Sequence, residues 1–173
     1  HEGCDVKAMT GLEYTPSADG TYYTCTGIGT VDAATKEIVI SNVYEGKPVK
    51  GVGAGAFKDN TVITRVDIPN GVTSIEADAF NGCTALASVN IPNGVTAIGD
   101  NAFKGTALTS VIMPDSVKTI GASAFEGCSV LSNVMLGNGV TTIGAKAFYN
   151  CGKITTLTLP ASLTTIDASA FEG

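Results

Sequence analysis

Residues 95–103 read VTAIGDNAF, and close copies of this stretch recur on both sides of it along the chain. Every phenylalanine of the protein ends such a copy: Phe57, Phe80, Phe103, Phe125, Phe148 and Phe171. Successive phenylalanines lie 23, 23, 22, 23 and 23 residues apart. Self-similarity at a fixed period of roughly 20–50 residues is typical of stacked repeat architectures. The spacing therefore predicts a solenoid in which each copy forms one rung.

A second pattern follows each phenylalanine and predicts a short strand. After Phe80 the apolar residues are Leu86, Val89 and Ile91, and later copies repeat this spacing. Val89 and Ile91 lie two residues apart and therefore share one face of an extended strand. Proline, which fixes φ and lacks an N–H donor, is expected to end the strand in four copies: Pro69, Pro92, Pro114 and Pro160. A second short extended piece, VTAIG, then leads into a tight turn with phenylalanine pointing inward.

One copy is a residue shorter than the others, since Phe103 and Phe125 lie 22 residues apart. We place the missing residue at the position that cysteine holds in other copies, between Gly105 and Thr106. A turn is where a stacked coil tolerates a deletion most easily.

The glycine-rich stretch KPVKGVGAGAF, residues 47–57, also resembles the start of a phosphate-binding loop. It completes neither the dinucleotide fingerprint nor the Gly-Lys-Ser/Thr ending of a P-loop. Aligned on phenylalanine, it is the first copy of the repeat, with Val49, Val52 and Ala56 at the apolar positions. We therefore interpret it as a rung and expect no cofactor.

Composition and charge exclude several classes of function. Hydrophobic residues make up 44 % of the chain, aromatic residues only 6 %, and the formal net charge is −6 with a pI near 4.6. An acidic chain without a basic stripe is a poor candidate for nucleic acid or for an anionic membrane surface. No apolar run approaches the roughly 20 residues of a membrane-spanning helix. The opening HEGCDVKAM lacks the apolar segment of a signal peptide, so we expect the mature part if the protein is exported.

Neither a metal site nor a catalytic site is expected. The five cysteines include no C-x2-C pair, and the only histidine is His1. Without an internal histidine, nucleophilic triads and histidine-based acid–base chemistry are excluded. The acidic residues of the repeats are expected at outward turn positions, where solvated carboxylates are the rule.

The first part of the chain does not follow the repeat. Strand-like segments bounded by glycine, with Tyr14, Tyr22 and Tyr23 near their start, predict a β-hairpin that covers the first rung. We divide the chain into an N-terminal β cap, residues 1–45, and a repeat array of about five to six rungs, residues 46–173. The chain ends at ASAFEG within a repeat, from which we expect a fragment of a longer protein.

At IPNGVTAIGDNAFKGT, residues 91–106, and LPASLTTIDASAFEG, residues 159–173, the sequence resembles the BspA-like leucine-rich repeats. The resemblance covers residues 49–173. It implies a curved leucine-rich-repeat solenoid on secreted or surface proteins, in which adhesion and protein binding are the proposed roles and no residue is catalytic. The fold we expect is a β-rich α/β solenoid, a right-handed superhelix with short parallel strands, little helix and an N-terminal β-hairpin cap.

The cysteines divide into two groups. Cys83, Cys128 and Cys151 share one repeat position after phenylalanine, where we expect small, buried residues that satisfy the turn. Stacking in register leaves the side chains of Cys128 and Cys151 parallel, so we expect free thiols although they lie within range of a disulfide. Cys4 and Cys25 lie in the cap region, where a disulfide and two free thiols are both open. A bridge would indicate an oxidising compartment.

The outward strand positions are the only patterned surface and supply the candidate binding residues. They form one ladder of Arg65, Ser88, Ser110, Asn133 and Thr156 and another of Asp67, Asn90, Ile112, Met135 and Thr158. Small polar residues dominate, as in a plain solvated sheet. Ile112 beside Met135 is the exception, and this apolar pair, flanked by the Arg65/Asp67 pair, is a candidate contact patch on a concave face.

These features, together with the resemblance, favour a non-catalytic extracellular module that binds a protein ligand, such as a host extracellular or cell-surface protein. We expect it to bind no nucleic acid and not to insert into a membrane. We expect a monomer at the cell surface or secreted from it. The main alternative is a structural spacer that presents another domain of a larger surface protein. Ice binding is a third hypothesis, because Thr73, Thr96, Thr141 and Thr164 stack, but Lys118 interrupts that ladder.

Overall fold

The computed structural model describes residues 9–173, in which the repeats form rungs built from short strands joined by tight turns. One sheet runs along the whole solenoid and contains nine strands. Its strands are β1 (Glu13–Pro16), β2 (Tyr23–Gly27), β4 (Val43–Tyr44), β5 (Lys47–Val52), β7 (Ser74–Ile75), β9 (Ala97–Ile98), β11 (Thr119–Ile120), β13 (Thr142–Ile143) and β14 (Thr165–Ile166). From β5 to β14 all neighbours pair in parallel, with equivalent residues of successive rungs opposite each other.

The other side of the solenoid carries two shorter parallel sheets. The first contains β3 (Glu37–Val39), β6 (Arg65–Asp67) and β8 (Ser88–Val89), and the second contains β10 (Ser110–Ile112) and β12 (Asn133–Met135). Proline follows β6 and β10 within two residues, as expected from its missing donor.

Residues 9–173 contain strands and turns but no helix. The fold is thus a β-solenoid of about six turns, and the α/β part of the expected class is not confirmed. No segment of the described chain is a helix long and apolar enough to cross a bilayer.

The phenylalanines form one continuous column through the interior, which confirms the predicted inward position. Their rings stack with centroids 5.2–5.4 Å apart and planes within 9° of parallel. The middle rings are at most 2 % exposed, whereas Phe171 in the last rung is 39 % exposed. The N–H of Phe103 donates to the Ala124 carbonyl at 2.8 Å, and the other rungs repeat this bond. Ring stacking and main-chain bonds therefore hold successive turns together.

The turn before each phenylalanine contains one residue with a left-handed backbone conformation. Two residues before each phenylalanine the chain takes a positive φ, for example 64° at Gly55, 61° at Asp78 and 57° at Asn101. Glycine, asparagine and aspartate tolerate this region better than other residues, although Ser123, Lys146 and Ser169 occupy it in the later copies. Gly55 thus serves the turn, and Gly51 lies in β5, so the glycine-rich stretch is the first rung, as the alignment on phenylalanine predicts.

The short copy differs from the prediction in the place of its deletion. Thr106, not a gap, holds the cysteine position: its N–H donates to the Phe103 carbonyl, as Cys83 does to Phe80, and its hydroxyl lies 3.3 Å from the Cys128 sulfur. The missing residue therefore lies between Thr106 and Leu108. The hydrogen bond from the Thr106 N–H to the Phe103 carbonyl fixes the turn up to Thr106, so the shortening falls on the loop that follows.

The segment before the array adds strands to the same long sheet. β1 pairs antiparallel with β2, and β2 pairs in parallel with β5 of the first rung. The rings of Tyr14 and Tyr44 stack at 4.5 Å, and Tyr23 meets Tyr44 edge-on at 4.9 Å. The hairpin is thus joined to the array by main-chain pairing and by an aromatic cluster.

Candidate protein-interaction surface

The outward positions of β6, β8, β10 and β12 lie on one side of the solenoid. We call this surface the strand face and define it by the residues Arg65, Asp67, Ser88, Asn90, Ser110, Ile112, Asn133, Met135, Thr156 and Thr158. Parallel pairing places Arg65 beside Ser88 and Ser110 beside Asn133, as the ladder predicts. The two ladders of outward residues are interrupted in two places. β8 does not pair with β10, and residues 154–159 form no strand beside β12.

Ile112 and Met135 form the apolar centre of the strand face. They are 60 % and 56 % exposed, and the parallel pairing of β10 with β12 places them opposite each other. Their neighbours in sequence, such as Val111 and Val134, point inward and are buried. Strand alternation thus holds two large apolar side chains side by side in solvent.

The charged end of the strand face is electrically balanced. Arg65 Nε lies 3.2 Å from Asp67 Oδ1, and both side chains are about half exposed. An exposed pair of this kind contributes little to stability. Because the two charges are of opposite sign, this pair adds no net charge to the strand face.

Asn90 is not a free surface side chain but part of the sheet. Its Nδ2 donates to the Ile68 carbonyl at 2.7 Å, and its Oδ1 accepts from the Ile68 N–H at 2.8 Å. At the equivalent position of the β10–β12 sheet, the Met113 N–H instead donates to the main-chain carbonyl of Met135. The amide of Asn90 therefore replaces a main-chain bond.

Two grooves flank the exposed pair, and no sequence pattern indicated them. The first, with a volume of about 430 Å³, lies between β8 and β10 and is lined by residues 87–91 together with Thr109, Ser110 and Ile112. The second, of about 280 Å³, lies between β12 and the segment that carries Thr156 and Thr158. The only hint in the sequence is the residue missing before Leu108, since it shortens the approach to β10.

The repeat cysteines have a structural role, as expected. The thiol of Cys83 donates to the Phe57 carbonyl at 3.0 Å, and Cys128 and Cys151 bond the Phe103 and Phe125 carbonyls in the same way. All three are buried and present as separate thiols. Burial raises the pKa of Cys83 to about 12. A hydrogen bond to the neighbouring thiol, together with burial, raises the pKa of Cys151. A hydrogen bond from the Cys151 thiol lowers the pKa of Cys128. The raised pKa values of Cys83 and Cys151 keep these two thiols protonated at neutral pH.

The proposed partner of Cys25 lies outside the described residues, since these begin at Met9 and exclude Cys4. Cys25 itself is buried in β2, and burial raises the pKa of its thiol to about 12. Within residues 9–173 no group of three or more histidine, cysteine, aspartate or glutamate side chains is placed to hold a metal ion.

The hydroxyls of the threonine ladder donate hydrogen bonds to main-chain carbonyls within the protein. The hydroxyl of Thr96 donates to the Thr73 carbonyl at 3.2 Å, and Thr141 and Thr164 bond the rung before them at 3.1 and 3.0 Å. Each hydroxyl proton thus links two rungs and is not available to an ice lattice.

The repeat region matches the model of the BspA type leucine rich repeat region in six copies over residues 50–173. A leucine rich cell surface protein from Faecalibacterium prausnitzii is similar, with 27 % identity, a TM-score of 0.66, and coverage of 95 % of this chain and 51 % of that chain. A leucine rich repeat protein from T. pallidum has 27 % identity and a TM-score of 0.69 over 90 % of this chain and 83 % of that one.

The pneumococcal vaccine antigen PcpA shares the fold, with a TM-score of 0.77, 24 % identity and coverage of 95 % of this chain and 46 % of that chain. This chain thus spans about half the length of the Faecalibacterium and pneumococcal structures. None of the curated proteins matches the sequence. These relatives are leucine-rich repeat proteins, a family that is not enzymatic. Because the family model covers most of the chain, this protein belongs to the BspA-type leucine-rich repeat family.

Proposed function

We propose that this chain is a non-catalytic protein-interaction module that acts outside the cell, as a monomer, and contacts a protein partner through the strand face. The observation that carries the proposal is the exposure of Ile112 and Met135, 60 % and 56 %, on paired neighbouring strands. Protein interfaces are typically centred on such apolar anchors within a rim of polar residues.

The polar residues around the pair have the character of such a rim. Ser110 and Asn133 lie on the same two strands, and Thr156 and Thr158 border the second groove. Small hydroxyl and amide side chains offer hydrogen bonds without the desolvation penalty of a charge. Together with the self-neutralised Arg65–Asp67 pair, they favour an uncharged contact area on the partner.

The relatives support a location at the cell surface. One of them is named a leucine rich cell surface protein and another a vaccine antigen. A host extracellular or cell-surface protein, bound in adhesion, is the partner class that fits this location best.

The test is capture of host extracellular proteins by the whole chain and by two variants, Ile112→Asp and Met135→Asp. A charge at the centre of an interface should weaken binding of the captured protein at least about tenfold. Because both side chains are exposed, each substitution should lower the unfolding free energy by about 1 kcal/mol or less.

Val130→Asp is the matched control. Val130 is 44 % exposed but lies in a turn outside the strand face, so its substitution should leave binding unchanged. If all three variants bind as well as the unchanged chain, the strand face is not the contact surface. A chain that captures no saturable partner supports the alternative role, a spacer that holds another domain.

We also infer that residues 1–45 act as the N-terminal β cap of the array, residues 46–173, and that the solenoid winds right-handed. Support for the cap comes from β2, which pairs with the edge of the first rung at β5. An uncovered parallel edge is a site of unwanted pairing, and repeat proteins usually protect it. Deleting the hairpin should therefore lower the unfolding midpoint and promote self-association in sedimentation.

A further inference from the structure

The dipeptide Asn-Gly occurs four times in the chain, at Asn70, Asn81, Asn93 and Asn138. The amide carbon Cγ of such an asparagine lies close in sequence to a main-chain nitrogen that no Cβ of the next residue shields. Asparagine is among the chemically labile residues of proteins. How fast each pair reacts therefore depends on how the fold holds the asparagine and the glycine nitrogen.

Two of the four pairs lie in turns that match in sequence and in conformation. The sequence IPNGVT surrounds both Asn70 and Asn93, and both side chains are exposed. The φ angle is 99° at Gly71 and 103° at Gly94. The bond that closes the turn, from valine N–H to proline carbonyl, is 3.4 Å long in the first turn and 3.3 Å long in the second. Any difference in reactivity between these asparagines must come from their surroundings.

The rung that follows each turn provides such a difference. Next to the second turn, the Ser116 hydroxyl accepts a hydrogen bond from the Gly94 N–H at 3.1 Å and donates one to the Val95 carbonyl at 2.7 Å. Next to the first turn, the position equivalent to Ser116 is Gly94, which has no side chain. Within residues 9–173, neither Asn70 nor Gly71 makes a hydrogen bond. The second turn is thus tied to its neighbouring rung, whereas the first is not.

The two remaining pairs are also tied to a neighbouring rung. The Gly82 N–H donates to the Lys104 carbonyl at 2.9 Å, and the Asn138 N–H donates to Asp115 Oδ1 at 2.8 Å. In the described part of the chain, the pair at Asn70 is therefore the one Asn-Gly pair that no hydrogen bond holds to an adjacent rung.

We propose that Asn70 is a site of spontaneous deamidation. The Gly71 nitrogen loses its proton and forms a bond to Cγ of Asn70, the bond from Cγ to Nδ2 breaks, and Nδ2 takes up a proton and leaves as ammonia. Water then adds to one of the two carbonyls of the succinimide ring, and the ring bond from that carbonyl to the nitrogen breaks. The product is aspartate or isoaspartate, and it adds one negative charge to a chain of net charge −6.

The same step is slower at Asn93 because the Gly94 N–H must first leave the Ser116 hydroxyl. Breaking one ordinary hydrogen bond before the reaction slows it by roughly fivefold. In the folded chain we therefore expect Asn70 to deamidate at least about fivefold faster than Asn93. In urea the two rates should become equal, since both asparagines have the same neighbours in sequence.

The experiment incubates the full chain in mildly alkaline buffer, with and without urea, and follows the charge change by anion exchange. Digestion with a glutamate-specific protease cuts after Glu76 and places Asn70 and Asn93 on different peptides, which mass spectrometry then quantifies. Asn70→Gln is the control, because a glutamine would have to close a larger ring. It should remove the fastest charge change of the folded chain.

A second variant tests the protecting hydrogen bond. Ser116→Ala leaves the Gly94 N–H without its partner, so the rate at Asn93 should rise by roughly fivefold, towards that at Asn70. The rate at Asn70 should stay the same, since Ser116 makes no bond to that turn.

Three results would overturn the inference. Equal rates at Asn70 and Asn93 in the folded chain would show that the unbonded turn is not more reactive. Faster reaction at Asn81 or Asn138 than at Asn70 would mean that bonds to the neighbouring rung do not protect. A charge change seen only in urea would show that the fold shields Asn70 as well.

Discussion

Replacing Phe103 by alanine tests the stacked architecture at its centre. Phe103 is fully buried, and its ring lies 5.2 Å from that of Phe80 and 5.3 Å from that of Phe125. Removing a buried ring loses its transfer free energy and leaves a cavity, at a cost of roughly 3–5 kcal/mol. The rings on both sides are fixed by main-chain bonds and cannot close that cavity, so the upper half of the range is expected.

The same substitution at Phe171 provides the comparison within one protein. Phe171 is 39 % exposed, and the described structure stacks a ring on only one side of it, Phe148 at 5.4 Å. With one neighbour and part of the ring already in water, Phe171→Ala should cost roughly 1–2 kcal/mol. The predicted ratio between the two sites is therefore about threefold.

Urea unfolding followed by circular dichroism measures both losses, and an unchanged slope would show that the variants unfold between the same states. Since small domains are stable by about 5–15 kcal/mol, Phe103→Ala could unfold the chain altogether. Phe103→Leu, with an expected loss of roughly 1–2 kcal/mol, keeps the measurement accessible in that event. Equal losses at the two sites, or no loss at Phe103, would refute a column stabilised by its neighbours.

Three further results are expected. Gly55→Ala should cost roughly 1–2 kcal/mol because φ is 64° there, whereas Gly152→Ala, with no positive φ and open space around the new methyl, should change the unfolding free energy by about 0.5 kcal/mol or less. Asp19 accepts bonds from hydroxyls of its own turn, which lower its pKa to about 2 from 3.8, so its stabilising effect is present above about pH 4 and lost as the pH falls towards 2. Urea unfolding of Asp19→Asn should then differ from that of the unchanged chain at pH 6 but not at pH 2. Cys83 should resist alkylation at pH 8 until the chain is unfolded, since its pKa is about 12; rapid labelling of the folded protein would contradict this.

The interior of the array could be predicted because identical residues recur at a constant period. When rungs of equal length stack in register, a residue such as Phe103 must lie above and below its own equivalents. Two-residue alternation in the strands similarly placed Val111 inward and Ile112 outward, and both are found there. The positive φ two residues before each phenylalanine, found at Asp78, Asn101 and Lys146 alike, could not be predicted from the sequence, because the residue type at that position varies.

The deletion in the short copy shows where this reasoning stops. Alignment of the repeats placed the missing residue at the cysteine position, although Thr106 occupies that position in the structure. An alignment cannot distinguish the two placements, because both keep the same residues in the same order. The hydrogen bond from Thr106 to the Phe103 carbonyl distinguishes them, since it fixes the geometry of the turn before the loop shortens.

By itself, the sequence determined the period of the solenoid, its phenylalanine column and the side of the strand on which Ile112 and Met135 lie. Only the tertiary structure decided that β8 and β10 separate while β10 and β12 pair. The reason is physical: burial depends on the direction of a side chain, which strand alternation sets locally. Pairing depends on the offset between two rungs, and that offset follows from three-dimensional contacts such as the bond of the Asn90 amide to Ile68.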